Sequence, residues 1–167
     1  MKIKIITTGG TIDKTYFDRK SEYEVGEPQI AEVLKEANVT VDYEVSPLLR
    51  KDSLDLTDED RRLIFKTIQS DSCRFFVITH GTDTMVSTAR MLKQIPGKVM
   101  VLTGAMQPAK FRSTDASFNI GCAIIAVQLL PDGVYIAING RIFNPDSVRK
   151  HHELNRFEEI NPEKLTL

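Results

Sequence analysis

The sequence is notable first for what it does not contain. Its 22 basic and 23 acidic side chains nearly cancel, leaving a formal net charge of -1, so charge gives no reason to expect nucleic acid or an anionic membrane as a partner. No apolar run is long enough to span a bilayer. No leader-like pattern precedes the first apolar segment, which begins at Lys2, and a cytoplasmic protein is therefore expected. Cysteine is scarce: Cys73 and Cys122 form no Cys-x-x-Cys pair and are read as reduced, packed thiols. Together with His80, His151 and His152 they make no metal-site spacing, so no metal is expected. Repeats, low-complexity tracts and internal linkers are missing. What remains is 167 residues, 41% hydrophobic and 27% charged, enough for one domain with a real core.

Three threonine-glycine loops each follow directly on an apolar run. Thr8-Gly9-Gly10-Thr11-Ile12 follows Lys2–Ile6, Thr79-His80-Gly81-Thr82-Asp83-Thr84-Met85 follows Phe75–Ile78, and Thr103-Gly104-Ala105-Met106 follows Val99–Leu102. Such runs read as buried strands of a parallel sheet, whose carboxyl ends are where open α/β sheets bind ligands. Helices are predicted from Pro28 to about Ala37, after a cap at Thr57, from about Thr84 to Gln94, and from Asp115 to about Leu130. Further strands are predicted over residues 39–45 and 134–138. Tyr16-Phe17-Asp18 and Glu22-Tyr23-Glu24-Val25 flank the polar turn Arg19-Lys20-Ser21, the pattern of a short hairpin or flap. Alternating strands and helices place the chain in the α/β class, with a mainly parallel (mixed) sheet and helices on both faces.

The loops carry the chemistry. Two glycines before Thr11 let the backbone approach a ligand closely, and the threonine hydroxyl is a nucleophile once its proton is removed. The same residues also suit a tight βα turn or a phosphate cradle, although the Gly-Lys-Ser/Thr of a P-loop is lacking. Thr82 and Asp83 set a hydroxyl and a carboxylate beside a helix start: either a relay with an anchor for a cationic amino group, or a helix cap. His80 reads as a support of the turn rather than a base.

These residues resemble the signature loops of the bacterial-type asparaginase/glutaminase family of amidohydrolases. Thr8-Gly9-Gly10-Thr11-Ile12 and His80-Gly81-Thr82-Asp83-Thr84-Met85 carry the resemblance most strongly. Asp52-Ser53-Leu54-Asp55-Leu56-Thr57, Thr103-Gly104-Ala105-Met106-Gln107-Pro108, the group Ser113, Asp115 and Asn119, and Asn139–Lys150 extend it in register to about residue 150. The resemblance implies Thr11 as primary nucleophile assisted by Tyr23 of the flap. It implies a second triad of Thr82, Asp83 and Lys150, with Asp83 also anchoring the substrate's α-amino group and Ser53 holding its α-carboxylate. Gly10, Asp52, Gly81, Ala105 and Met106 complete the implied substrate site. The implied reaction hydrolyses the side-chain amide of a small amino acid, asparagine first, through a threonine acyl-enzyme, with no cofactor. A homo-oligomer, dimer or tetramer, is the implied assembly.

Physically, a lysine serves as a base only where burial or neighbouring cations favour its neutral form, and Arg149, His151 and His152 flank Lys150. Read without the resemblance, Lys150 is part of an exposed basic run and Tyr23 a hairpin aromatic packed on the sheet. Backbone N–H groups of the Gly81-Thr82 loop are natural donors to a developing oxyanion. The chain departs from the family in three ways. It is read as one domain, residues 1–167, without the family's smaller second domain, although Phe157, Asn161 and Pro162 resemble the start of its linker. Asp13 stands where the family has a small residue, and is expected to repel an acidic product. Leu54 stands where many members have a polar residue, with Arg50 and Lys51 as candidate substitutes. Two other readings stay open: a small-molecule binding or regulatory module for an acidic amino acid, and a nucleotide or phosphate binder.

Overall fold

The structure is a computed structural model and describes residues 1–17 and 22–160. In chain order the elements are β1 (Lys2–Gly9), the hairpin β2 (Lys14–Phe17) and β3 (Glu22–Val25), α1 (Ile30–Glu36), β4 (Asp42–Lys51), α2 (Asp58–Ser70), β5 (Phe75–Thr79), α3 (Met85–Leu92) and β6 (Val99–Thr103). They continue with α4 (Ala116–Leu129), β7 (Gly133–Ile138), β8 (Arg141–Phe143), β9 (Val148–His151) and β10 (Arg156–Glu159). Single 3-10 turns lie at Thr11–Asp13, Ser53–Asp55 and Pro145–Ser147. The polar tip of the β2–β3 hairpin, and Asn161 and Pro162, lie outside the described residues.

Six strands form one sheet in the order β4-β1-β5-β6-β7-β8, parallel throughout except for β8, which runs antiparallel to β7. Strand pleating sends alternate side chains to opposite faces. Ile3, Ile5, Val77, Val99 and Val101 pack with Ile30 and Leu34 of α1 and with Ile120, Ala123 and Val127 of α4. Ile6, Phe76, Ile78, Met100 and Leu102 pack on the other face with Ile64 and Ile68 of α2 and with Met85, Ala89 and Leu92 of α3. The result is the three-layer α/β arrangement expected from the sequence.

This topology selects where a site forms. The chain leaves β1 toward α1 on one face and leaves β5 toward α3 on the other, while β1 and β5 are neighbours in the sheet. Loops that diverge in this way open a crevice between them, the switch point at which open α/β sheets take ligands. Thr8 stitches the two strand ends together, its hydroxyl donating to the Thr79 carbonyl at 2.9 Å.

Several elements differ from their expected limits. β4 starts at Asp42 and runs through Pro47 to Lys51, well past the expected end at residue 45. A proline is tolerated there because β4 is an edge strand. α1 begins at Ile30 behind Gln29, so Pro28 precedes the helix rather than opening it. β8 and the β9–β10 hairpin were not expected. The turn into β8 is Asn139-Gly140, with φ of +52° and +72°, the backbone that two-residue hairpins favour. Thr57 caps α2 as expected, in a reciprocal box with Asp60.

Phe76 is fully buried in the central strand β5. Phe76→Ala is expected to lower unfolding free energy by about 3–5 kcal/mol in urea titrations, against about 1 kcal/mol for Thr57→Ala at the α2 cap.

Candidate active site

The candidate site starts from a backbone contact that excludes side chains. A Cβ placed on Gly10 would lie 2.5 Å from Cα and N of Gly81, and one on Gly81 would lie 2.6 Å from Cβ and Oγ of Ser53. Neither distance is sterically allowed, so the loops bearing Thr11, Thr82 and Ser53 meet only because two of the three contact points are glycine. Gly10 also has φ of +92° and donates its N–H to the Lys51 carbonyl at 2.9 Å, tying the Thr11 turn to the end of β4. The loop after β6 joins the group: Ala109 N–H donates to the Ile12 carbonyl at 3.0 Å and His80 N–H to the Thr103 carbonyl at 2.9 Å. Asp115 holds that loop in place, its carboxylate accepting from the N–H groups of Met106 (3.0 Å) and Gln107 (3.1 Å). Ala105 is buried below it and Met106 partly buried.

Lys150 is delivered to the crevice by β9. It pairs with Phe157 of β10 in the hairpin register, and Phe157 is buried in the core. The Lys150 ammonium donates to Thr82 Oγ1 at 2.8 Å and to Asp83 Oδ1 at 2.6 Å. Thr82 is buried and Lys150 largely so. The capping alternative for Thr82 and Asp83 is thereby corrected: α3 starts behind Thr84, with no side-chain cap, and the Thr84 hydroxyl donates instead to the Ser53 carbonyl at 2.8 Å. Lys150 is likewise not part of an exposed basic run. Its neighbour Arg149 pairs with Glu158 at 2.8 Å, and His151 Nδ1 accepts from Leu154 N–H at 3.4 Å. His152 is the flanking side chain that does reach the site, with Nδ1 3.6 Å from Asp83 Oδ1.

Thr11 opens the 3-10 turn immediately after Gly10 and is half-buried. Tyr23 is paired with Tyr16 across the hairpin and packs on Phe111 of the β6–α4 loop, with ring centroids 5.3 and 6.0 Å away. It therefore rests against the mouth of the crevice rather than on the sheet, and stays half exposed. A second tie holds the hairpin: Lys14 Nζ lies 2.6 Å from Asp52 Oδ2. Burial pushes the Asp52 carboxyl up, but the Lys14 ammonium and the Leu54 N–H outweigh it and hold the group below the usual range. Ser53 Oγ is fully buried and has no hydrogen-bond partner among the described residues. A buried hydroxyl without a partner is costly. Lys14, Tyr23, Arg50, Lys51, Asp52 and Leu54 line a polar cavity of about 470 Å³ between hairpin and Ser53 turn.

Two expectations need correcting, and the one for His80 holds. Arg50 and Lys51 do not stand in for a carboxylate-binding residue, because Glu27 (2.7 Å) and Asp60 (2.7 Å) hold them. Asp13 does not face the crevice. It is 2% exposed and accepts from the Gln29 N–H at 2.9 Å under the start of α1. His80 is fully buried, which pushes its imidazole down to about 4. The neutral ring fits its contacts: Nδ1–H donates to the Gly81 carbonyl at 2.7 Å and Nε2 accepts from the Thr88 hydroxyl at 2.8 Å. His80 thus fixes the turn beneath Thr82. The supports Lys14, Thr84 and Phe111 were not anticipated. Each acts through a contact distant in sequence, and no local pattern marks it.

The class these features define is a three-layer α/β domain with a hydroxyl, carboxylate and ammonium site at its switch point. The chain belongs to the asparaginase family: the family model for the asparaginase N-terminal domain matches residues 2–166. It is 31% identical to an L-asparaginase of Bacillus licheniformis over 166 residues, covering 92% of this chain and 51% of that protein. It is 32% identical to an L-asparaginase of Thermococcus kodakarensis, covering 96% and 52%. Among solved structures, the thermostable L-asparaginase of T. kodakarensis superposes with a TM-score of 0.83 at 28% identity, over 95% of this chain and 51% of that one. A probable cytoplasmic L-asparaginase from Campylobacter jejuni gives 0.81 at 32% identity, over 95% and 52%. The chain thus spans about half the length of the curated relatives it matches. No helix among the described residues is long and apolar enough to cross a membrane.

The buried Asp13 carboxyl generates a pH dependence. Burial raises its pKa to about 6, against a smaller opposing effect of the Gln29 N–H. An acid with a raised folded pKa adds most stability below its unfolded value near 4, and that contribution is lost as pH rises through about 6. Asp13→Asn keeps an acceptor for Gln29 and removes the buried charge. It is expected to exceed the parent by about 2–3 kcal/mol in urea unfolding at pH 8, an advantage absent at pH 4.

Proposed function

We propose that this chain carries the catalytic face of an asparaginase-type amidohydrolase, acting on the side-chain amide of a small amino acid, asparagine first. The observation that carries this reading is the Lys150 ammonium, hydrogen-bonded to both Thr82 and Asp83, one glycine contact away from the turn bearing Thr11. A hydroxyl nucleophile, a proton-handling group and a substrate anchor then share one crevice, as acyl transfer requires.

In the proposed reaction the Thr11 Oγ attacks the amide carbon. Its proton passes to the leaving nitrogen, and ammonia departs as the C–N bond breaks, leaving an ester on Thr11. Water then adds to the ester carbon, the Thr11 oxygen leaves with a proton, and the free acid is released. The second step draws on Thr82, whose hydroxyl relays the water's proton toward the Thr11 oxygen while the Lys150 ammonium holds that hydroxyl in place. Backbone N–H groups of the Gly81-Thr82 loop, which faces the Thr11 turn, stabilise the negative oxygen of both tetrahedral intermediates. Asp83 anchors the substrate ammonium through the carboxylate that also receives Lys150. Ser53, whose hydroxyl has no partner of its own, takes the α-carboxylate. Tyr23 closes over Thr11 from the hairpin. The pairing of an ammonium site with a carboxylate site favours a free amino acid over a protein.

A second reading has one observation in its favour. Asp83 and the unpartnered Ser53 hydroxyl can hold a guest's ammonium and carboxylate without any reaction following. In that case the chain is a binding or regulatory module for an acidic amino acid.

A coupled ammonia assay separates the two. Release from asparagine or another small amide is expected, with kcat falling at least about 100-fold in Thr11→Ala, Thr82→Ala and Lys150→Met. Undetectable ammonia across an amide panel from folded protein overturns the hydrolase reading; saturable aspartate binding in the same sample supports the module.

A further inference from the structure

We infer that Asn119 and Asn139 are positioning residues: a line of side-chain amide hydrogen bonds runs through them from the loop after β6 to β10, and it sets where the Lys150 ammonium stands. What Lys150 does there rests on the amidohydrolase reading; what holds it rests on geometry. The line begins at Asp115, whose carboxylate holds the N–H groups of Met106 and Gln107. One helical turn on, Asn119 Nδ2 donates to Asp115 Oδ2 at 2.9 Å and to the Gly104 carbonyl at 3.0 Å. Asn119 Oδ1 accepts from the Asn139 N–H at 3.1 Å, in the turn between β7 and β8. Asn139 Oδ1 then accepts from the Phe157 N–H of β10 at 2.8 Å. Phe157 stands opposite Lys150 in the β9–β10 hairpin.

The hairpin needs such a tie. β9 and β10 form a two-stranded sheet separate from the six-stranded one, and an isolated pair of strands has little stability of its own. Val148 and Phe157 anchor it in the core. Apolar burial is non-directional, however, and a hydrogen bond is not. The Phe157 N–H on Asn139 therefore fixes the hairpin against the main sheet in a way that packing of the ring does not. A further tie, Arg141 to Glu159 at 3.1 Å, joins two exposed side chains and holds weakly. Lys150 lies 2.8 Å from Thr82 Oγ1 and 2.6 Å from Asp83 Oδ1. A shift of about 1 Å away from them takes both contacts past hydrogen-bond reach, and misplacement of that size costs catalysis up to about 100-fold.

The two asparagines suit this role for different reasons. Asn119 is 1% exposed. Its partners leave its amide one orientation, with two acceptors facing Nδ2 and one donor facing Oδ1. A buried amide satisfied on both sides holds its partners firmly, because breaking any link leaves a buried polar group without one. Asn139 has φ of +52°, a backbone that asparagine tolerates and glycine adopts freely. The turn by itself therefore accepts either residue. The bond to Phe157 accepts only a side chain with an oxygen at that reach, which asparagine and aspartate have and glycine lacks. That difference separates positioning of Lys150 from the making of the turn.

The test follows Lys150 directly. The full chain and its Asn139→Gly and Asn139→Asp variants are treated with acetic anhydride, and acetylation of each lysine is timed by mass spectrometry. Lys150 in Asn139→Gly is expected to react at least about 10-fold faster than in the parent, with Lys4, paired to Asp71, unchanged. Asn139→Asp keeps the acceptor and is expected to stay within about 2-fold of the parent. Ammonia release from asparagine is expected to follow the same order, with kcat at least about 10-fold lower in Asn139→Gly and KM within about 3-fold. Circular dichroism checks that both variants are folded. An unchanged Lys150 rate in Asn139→Gly overturns the inference. A rise that Asn139→Asp shares also overturns it, because the side-chain acceptor is then not what holds Lys150. Undetectable ammonia from the parent overturns the hydrolase reading and not this one, which the acetylation rates decide.

Discussion

Three loops from the carboxyl ends of β1, β4 and β5 converge on Gly10, Gly81 and Ser53, and nothing larger than hydrogen fits on the two glycines. The rest of the candidate site depends on this contact. It brings the residues before Thr11 and Thr82 together, and it presses the Ser53 turn onto the second of them. Sheet topology makes the convergence available, because neighbouring strands β1 and β5 send their helices to opposite faces. The glycines allow the backbones to use it. Thr84 and His80 then secure the geometry from below, through the Ser53 and Gly81 carbonyls.

Charge in this molecule is mostly held in local pairs, and that isolates the few charged groups at the crevice. Arg50, Lys51, Arg149 and Lys14 each have a carboxylate partner within 3 Å. Lys150 differs in having a neutral hydroxyl as well as a carboxylate within hydrogen-bond reach. It is brought there mechanically. Phe157 of β10 is buried in the core and pairs with Lys150 across the hairpin, so burial of one aromatic ring sets where the ammonium sits. Asp13 shows the opposite case. A carboxylate two residues from Thr11 in sequence is turned away under α1 and takes no part in the crevice.

Much of this was legible in the sequence, and the failures are informative. The three Thr-Gly loops, the α/β class and the grouping of Thr82, Asp83 and Lys150 could be read from apolar runs, turn residues and resemblance. β8 was missed although Asn139-Gly140 between apolar residues is a strong hairpin signal. β4 runs past the end that its alternating pattern gives at residue 45, through Pro47, which an edge strand tolerates. The roles expected for Arg50, Lys51 and Asp13 failed for a common reason. Proximity along the chain does not say which partner a long or charged side chain meets, and the fold supplies Glu27, Asp60 and Gln29 as those partners.

By itself the sequence determined most of the elements up to β7 and their order, since hydrophobic period, glycine placement and capping residues are local properties. It also determined that α4 is apolar all round, which composition shows directly. Only the tertiary structure decided that Gly10 and Gly81 touch, that Lys150 reaches Thr82, and which side of α4 is buried against the sheet. Those outcomes follow from strand order, and strand order arises from packing two helical layers on one sheet, a competition among distant contacts that no short window of sequence records.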